Sequence, residues 1–164
     1  MTDTSYIGYL LSKHRSNGAV IDSNLLLLVV IGAYDIKSVG RGRTEKYTPD
    51  DFRLMLRVIN TIDRVIVTPN IITEVDNLAR QTAIDKVRLA GAIRNLWNKI
   101  SEVYLPSGTA ISSQEYEKSG ITDAHILSMA SEYKLIITDD LPLYHRLETL
   151  RRDAVNINHI RKFA

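Results

Sequence analysis

Three short aliphatic runs, each followed at once by a helix-starting signal, constrain the fold of this chain more than any other feature. The runs are Ala19-Val20-Ile21, Val65-Ile66-Val67 and Leu135-Ile136-Ile137. The residues that directly follow them are Asp22, Thr68-Pro69 and Thr138-Asp139-Asp140. Acids, threonine and proline are residues that cap or open helices. Strands that alternate with helices predict an α/β fold, with a central, mainly parallel sheet flanked by helices in three layers.

Apolar periodicity and capping residues predict the other elements. Residues 35–47 are predicted to be a polar loop, and residues 154–160, which alternate weakly, to be an edge strand. The predicted helices are a short one ending near Ser16, Leu25 to Tyr34, one opening at Thr48-Pro49, Pro69 to Arg80, Ala83 to Tyr104, Gly120 to Tyr133, and Pro142 to Arg151.

The chain has 164 residues, 45% hydrophobic and 24% charged, which suits one domain with a sizeable core. We expect a single domain over residues 1–164, with residues 1–17 as a helical N-terminal extension. The lack of cysteine excludes disulfides, thiolate zinc sites and cysteine nucleophiles. The longest apolar run, Leu25 to Ile31, is far shorter than the ~20 residues that cross a bilayer. We therefore expect a cytoplasmic protein with no membrane partner.

Acidic residues stand where an α/β sheet places its binding site. Asp22 and the pair Asp139-Asp140 follow strands, so they belong at the carboxyl edge of the sheet. Glu74 shares one helix face with apolar neighbours three and four residues away, and Asp123 lies in the first turn of its helix. Like charges brought together need a cation. Carboxylates without cysteine or paired histidine favour Mg²⁺ or Mn²⁺ over Zn²⁺.

Each acid also has a purely structural interpretation. Asp22, Asp123 and Asp139 could each cap a helix, and Glu74 could pair with a nearby arginine. The histidines show no metal-binding spacing and are predicted to lie at the surface or behind the site; they are His14, His125, His145 and His159. What favours a site is the set of acids, because a helix needs only one capping acceptor.

Four motifs in chain order resemble those of the PIN-domain ribonucleases. The motifs are Asp22-Ser23-Asn24-Leu25 after a strand, Glu74 in a helix, Thr122-Asp123-Ala124 at a helix start, and Ile137-Thr138-Asp139-Asp140 after a strand. The resemblance spans about residues 18–160 and implies a PIN-like fold. It also implies that the catalytic metal ligands are Asp22, Glu74, Asp123 and Asp140, with Asp139 as a neighbour or second ligand. Asn24 and Thr138 are implied as residues that orient the first and last acids.

The same resemblance implies a function. It predicts an Mg²⁺- or Mn²⁺-dependent endoribonuclease that hydrolyses RNA phosphodiester bonds, and many small members are toxins neutralised by an antitoxin protein. An antitoxin and a second copy of the chain are therefore candidate partners besides RNA. The 21 Lys and Arg nearly balance 19 Asp and Glu, but four cations cluster in the loop after the first acid. We expect these four to contact RNA phosphates: Lys37, Arg41, Arg43 and Lys46.

Three other functional classes are alternatives to the ribonuclease interpretation. Haloacid-dehalogenase-like phosphatases need Asp-x-Asp after the first strand, but Asn24 occupies the third position here. Response-regulator receivers have their acid pair early and a late lysine, whereas the Asp139-Asp140 pair comes late. A non-catalytic PIN-like module that binds RNA or protein stays open as the alternative.

Overall fold

A parallel sheet forms the centre of the molecule, as the sequence predicts. The computed structural model describes residues 3–130 and 134–161. Within them five strands, all parallel, lie in the order β3-β2-β1-β4-β5. The strands are β1 (Ala19–Ile21), β2 (Val65–Val67), β3 (Ile100–Glu102), β4 (Leu135–Thr138) and β5 (Ala154–Asn156). Helices flank this sheet, so the predicted three-layer α/β class is confirmed.

The helices follow the strands along most of the chain. They are α1 (Asp3–Lys13), α2 (Ser23–Tyr34), α3 (Pro49–Thr61), α4 (Pro69–Thr82), α5 (Lys86–Trp97), α6 (Ser107–Ile111), α7 (Gln114–Met129), α8 (Leu141–Thr149) and α9 (Ile157–Arg161). The loop after α2 contains two single-turn 3₁₀ helices, Ile36–Ser38 and Gly42–Thr44. Within the described ranges, no helix is both long and apolar enough to cross a membrane.

The strand order creates a point where the chain changes direction across the sheet. From β1 the chain moves outward to β2 and β3, and it then returns to the other side of β1 to form β4 and β5. β1 and β4 are neighbours, with Val20 opposite Ile136. Loops that leave two such strands at their carboxyl ends diverge and open a crevice, which is where α/β proteins bind ligands. The segments leaving this crevice begin with Asp22 and Asp139.

The core is built around α2. Residues 25–31 of this helix are all buried, and it packs against α3, α4 and α5. A helix that is apolar on every side is stable only inside a protein. Gly32 allows the close approach of α3, because a Cβ there would lie 2.6 Å from Cε2 of Phe52 and closer to other ring carbons. The helix that carries the first acid at its start is therefore firmly held.

Two sequence predictions are wrong at the two edge strands of the sheet, β3 and β5. The helix predicted from Ala83 to Tyr104 ends at Trp97, and residues 100–102 form β3 instead. β3 pairs with β2 in parallel register, so tertiary hydrogen bonding overrides a local pattern that suited either state. The strand predicted over 154–160 ends at Asn156, and α9 follows.

Helix α7 contains a break that matters for the site. Gly120 has φ +80°, so the helix is interrupted there and a second segment starts at Ile121. Asp123 thus lies in the first turn of that segment, as the sequence predicts. The segment ends at Met129, four residues before the predicted end at Tyr133; residues 131–133 lie outside the described residues.

Candidate active site

Four of the predicted acids line one cavity at the carboxyl edge of the sheet. The cavity has a volume of about 240 Å³, and its acids are Asp22, Glu74, Asp123 and Asp140. Asp22 and Asp140 lie where β1 and β4 lead into helices, Glu74 comes from α4, and Asp123 comes from α7. Residues far apart in sequence therefore meet at the strand-order reversal.

Asp22 is the most restrained of these acids. Its Oδ1 accepts a hydrogen bond from the Leu25 amide at 2.8 Å, which caps α2. Its Oδ2 accepts from the Thr138 hydroxyl and from the Asp139 amide, the latter at 3.1 Å. Burial and the nearby negative charge of Asp139 raise the pKa of Asp22 to about 7, although these hydrogen bonds oppose the rise. The carboxylate is fixed in place and readily neutralised by a cation.

Glu74 is held by two hydroxyl groups. Its Oε2 accepts from Ser23 Oγ at 2.8 Å and from Thr122 Oγ1 at 3.2 Å. Ser23 is the first residue of α2 and Thr122 precedes Asp123, so these bonds connect three elements of the site. The partners are hydroxyls, not the arginine that the structural interpretation of Glu74 requires.

Asp123 lies between charges of both signs. Burial and the neighbouring Asp140 raise its pKa to about 6; Arg146 opposes the rise, and Glu74 adds to it. The Arg146 guanidinium is held by Glu115 at 2.8 Å and by Ser119 Oγ at 3.0 Å. The cavity therefore carries excess negative charge despite the nearby arginine.

The adjacent acids Asp139 and Asp140 point to different places. Asp140 lines the cavity, and its Oδ1 caps α8 by accepting from the Leu143 amide at 2.7 Å. Asp139 does not line it: Asp139 Oδ2 accepts from Tyr47 Oη at 2.6 Å and lies 2.6 Å from Lys46 Nζ. Asp139 Oδ1 is buried without a hydrogen-bond partner. The geometry thus supports Asp140 over Asp139 as the acid that faces a ligand.

The two positioning residues implied by the resemblance behave differently. Thr138 is buried and binds Asp22, while its Oγ1 also accepts from the Asp140 amide at 2.9 Å. Asn24 is exposed and lines the cavity, but the donors to Asp22 are other groups. The side chain of this first motif that positions an acid is Ser23, which donates to Glu74.

The basic loop does not surround the acidic cavity. All four of its cations are exposed. Lys46 pairs with Asp139 at 2.6 Å, whereas Arg41 and Arg43 line a separate cavity with Gln81 and Thr82 at the end of α4. Lys37 lies in the 3₁₀ turn that starts the loop. Any contact of this loop with RNA would be outside the acidic cavity.

Histidine takes no direct part in the cavity lining. His125, two residues after Asp123, is fully buried, with its Nδ1 3.0 Å from Asn70 Oδ1. His14 is also buried and lies 2.6 Å from Asp153, near Lys13 at the end of α1. The contact between His14 and Asp153 ties the end of α1 to the residue that precedes β5.

The donor set fits a hydrated divalent cation. Among the described residues, no three Asp, Glu or His side chains already stand close enough to hold a metal ion. The cavity nevertheless offers only oxygen donors from its acids, and two of these carboxyls have pKa values raised by burial and negative charge. Mg²⁺ keeps several waters and needs only one or two carboxylates. A cavity of about 240 Å³ has room for an ion with part of its water shell.

Sequence reasoning missed the groups that position the acids. Ser23, Thr122 and Tyr47 bind carboxylates of this region, and Arg146 lies beside Asp123. The position of Ser23 and Thr122 next to the predicted acids was a usable signal. Tyr47 is 92 residues from Asp139 in the chain, and nothing local indicates that contact.

Comparison with protein-family models, with curated proteins and with solved structures finds no match for this chain. Membership of the PIN-domain family therefore stays a prediction from the four motifs.

Proposed function

We propose that this protein is an endoribonuclease that hydrolyses RNA phosphodiester bonds with Mg²⁺ or Mn²⁺. The observation that carries the proposal is the convergence of Asp22, Glu74, Asp123 and Asp140 on one cavity at the strand-order reversal. The resemblance of the motifs to PIN-domain ribonucleases supports RNA as the substrate.

In this proposal a hydrated metal ion would be bound by carboxylates among the four acids of the cavity, directly or through its waters. Mg²⁺ or Mn²⁺ held there would supply the chemistry that phosphodiester hydrolysis needs, namely a more acidic water molecule and positive charge near the phosphate. Thr138 fixes Asp22, while Ser23 and Thr122 fix Glu74, so both carboxylates are oriented before any ligand arrives. The Arg146 guanidinium limits the repulsion at Asp123.

A non-catalytic RNA- or protein-binding module is the second candidate. It is favoured by the capping bonds of Asp22 and Asp140, which give both carboxylates a structural role without a metal. The two functions differ in their response to a metal chelator and to substitution of the acids that cap no helix, Glu74 and Asp123.

The first test is cleavage of an unstructured RNA by the purified protein. We expect cleavage with Mg²⁺ or Mn²⁺ and none in EDTA. Asp22→Asn, Glu74→Gln, Asp123→Asn and Asp140→Asn should each lower the rate by at least about 100-fold, because each removes a charge from the metal site. Asp139→Asn should retain more activity than Asp140→Asn, because its side chain faces Tyr47 and Lys46.

The matched control is Asp76→Asn. Asp76 lies on the same helix as Glu74 but pairs with Arg80, so its loss should leave cleavage unchanged. Equal cleavage in EDTA, or full activity in Glu74→Gln and Asp123→Asn, would overturn the proposal. RNA binding without cleavage in any metal would support the binding module.

We also propose that this protein acts in the cytoplasm as the toxin of a toxin–antitoxin pair. In that setting, induced expression of the wild-type chain should arrest bacterial growth, and the Asp140→Asn variant at equal abundance should not. Growth arrest by both the wild-type chain and the Asp140→Asn variant would show that the toxicity has a cause other than RNA cleavage. A neutralising antitoxin and a homodimer remain proposals tied to this setting.

A further inference from the structure

A second and larger cavity adjoins the acidic one. It has a volume of about 520 Å³, and the two cavities share Glu74, Ile121 and Thr122. Its other lining includes Asn70, Asn77 and Tyr104. A polymeric ligand held at the acids therefore has a direct path into this space.

The lining of this cavity suits a flat, uncharged, hydrogen-bonding group. Among the described residues that line it, Glu74 alone is charged, and it stands at the border with the acidic cavity. No lysine or arginine of the described residues contributes to this lining, which argues against a phosphate as occupant. Thr73, Asn70 and Asn77 contribute hydroxyl and amide groups along one side of α4.

Tyr104 gives the cavity an aromatic surface. Tyr104 is 77% exposed, so a ligand in the cavity can reach its ring. It lies two residues after the end of β3, at the edge of the sheet. Exposed aromatic rings beside a nucleic-acid site are stacking platforms for unpaired bases.

Asn70 is already oriented. His125 Nδ1 lies 3.0 Å from Asn70 Oδ1, and this contact with a buried ring fixes the orientation of the amide. One polar atom of the Asn70 amide faces His125, which leaves the other for a ligand. Amide side chains of this kind bind the edges of bases.

We propose that this cavity binds one unpaired nucleobase, next to the phosphodiester held at the acidic cavity, by stacking on Tyr104 and hydrogen bonding to Asn70 and Asn77. The inference rests on the proposed function for the position of the phosphodiester. It makes the substrate single-stranded at the cleavage position, because a base in a duplex cannot leave its stack to enter the cavity without unpairing.

The test combines protein variants with abasic substrates. Binding of a fluorescent single-stranded hexanucleotide RNA is measured at fixed salt with Ca²⁺ in place of Mg²⁺. Tyr104→Ala should weaken binding roughly 5- to 100-fold, the usual effect of removing a base-stacking ring, and Tyr104→Phe should stay within about twofold of wild type. Tyr9→Ala, an exposed tyrosine on α1 that lines neither cavity, is the control and should have no effect.

Abasic positions locate the base. One abasic position in the hexanucleotide should weaken wild-type binding by a similar factor, yet add little in Tyr104→Ala, since both changes remove the same contact. Unchanged binding in Tyr104→Ala, or losses that simply multiply at every abasic position, would overturn the proposal.

Cleavage with Mg²⁺ is measured in parallel, so that the two proposals fail separately. Cleavage without any effect of Tyr104→Ala on binding refutes the nucleobase cavity and leaves the nuclease standing. If Tyr104→Ala weakens RNA binding but no metal supports cleavage, the nuclease proposal is refuted and a nucleobase cavity in a binding module is supported.

Discussion

At the scale of single residues, Asp22 shows how one carboxylate can be both a structural and a candidate catalytic group. It caps α2 and binds the segment after β4, yet it also lines the acidic cavity. Its hydrogen bonds stabilise the charged form, whereas burial and Asp139 destabilise it, and the second effect is larger. Capping and ligand binding are therefore not exclusive interpretations of this residue.

The raised pKa of Asp22 predicts a pH-dependent stability in the absence of divalent cations. The folded protein binds this proton until about pH 7, whereas the unfolded chain loses it near the ordinary value of 3.8. The native state thus holds more protons between these values, and the free energy of unfolding should fall as pH rises through this window, by roughly 1–4 kcal/mol. Urea unfolding in EDTA at pH 5 and pH 8 measures the difference.

Asp22→Asn should make this dependence shallower, since an amide does not titrate; the remaining fall at lower pH comes from Asp123, whose pKa is raised to about 6. Asp50→Asn, a change in an exposed acid at the start of α3, should leave it as in wild type. An equally steep fall in Asp22→Asn would assign the pH dependence to other groups.

The predicted order of strands and helices, together with the resemblance of the motifs, predicted which acids meet but not their detailed orientation. Asp22 and Asp140 could be placed because they follow strands of a parallel sheet, and Asp123 because it starts a helix segment. Asp139 is turned away from the cavity by Tyr47 and Lys46, which reach it from a distant loop, whereas Asp140 caps α8 and lines the cavity. Such contacts depend on tertiary packing and leave no local pattern.

At the scale of elements, β3 shows where helix periodicity misleads. Residues 100–104 continue an apolar spacing that suits a helix, but they include the β-branched Ile100 and Val103. The edge of β2 offers unsatisfied backbone groups, and Val65 pairs with Ile100 to satisfy them. Hydrogen bonds to a partner distant in sequence decided this element, and no window of the sequence contains them.

Two helical glycines, Gly32 in α2 and Gly91 in α5, are predicted to respond in opposite ways to substitution by alanine. Gly32→Ala should destabilise the protein by about 1–3 kcal/mol, because the new methyl group would overlap the Phe52 ring. Gly91→Ala in α5 meets no atom within 4 Å, so it should stabilise by about 0.5–1 kcal/mol through helix propensity. Chemical denaturation of both variants measures this; a neutral Gly32→Ala would mean that α3 can shift away.

The basic loop predicts a change in the salt dependence of RNA binding. Arg41 and Arg43 lie beside Gln81, seven residues and about 10 Å along α4 from Glu74. If RNA follows α4 outward from the acidic cavity, Arg41→Ala with Arg43→Ala should lower the log–log salt slope by roughly 0.7 to 0.9 per lost contact. Metal binding should be unchanged.

The control for the loop is a double variant of two exposed arginines elsewhere, Arg15→Ala with Arg94→Ala. Affinity is measured against salt with Ca²⁺ in place of Mg²⁺. Slopes that stay parallel to wild type in the Arg41/Arg43 variant would remove these two residues from the RNA-binding surface.

At the scale of the whole molecule, the proposed metal site predicts ligand-dependent stability. A cation that binds only the folded protein at 100 times its Kd adds about 2.7 kcal/mol, which corresponds to roughly 5–10 °C in Tm for a chain of this size. Calorimetry with saturating Mn²⁺ should show this rise in wild type and a much smaller one in Glu74→Gln and Asp140→Asn. An equal rise in all three would place the metal elsewhere.

The central position of β1 also bears on how the chain folds as it is synthesised. Ala19 pairs with Val65 on one side but with Leu135 on the other, so the middle of the sheet joins the beginning of the chain to a segment more than a hundred residues later. Such long-range pairing is slow, because a large loop must close before its contacts form. A nascent chain that has emerged from the ribosome up to β3 would already contain α3, α4 and α5 to cover α2, but it would expose the edge of β1 that later pairs with β4. We expect that edge to need protection by chaperones until β4 emerges.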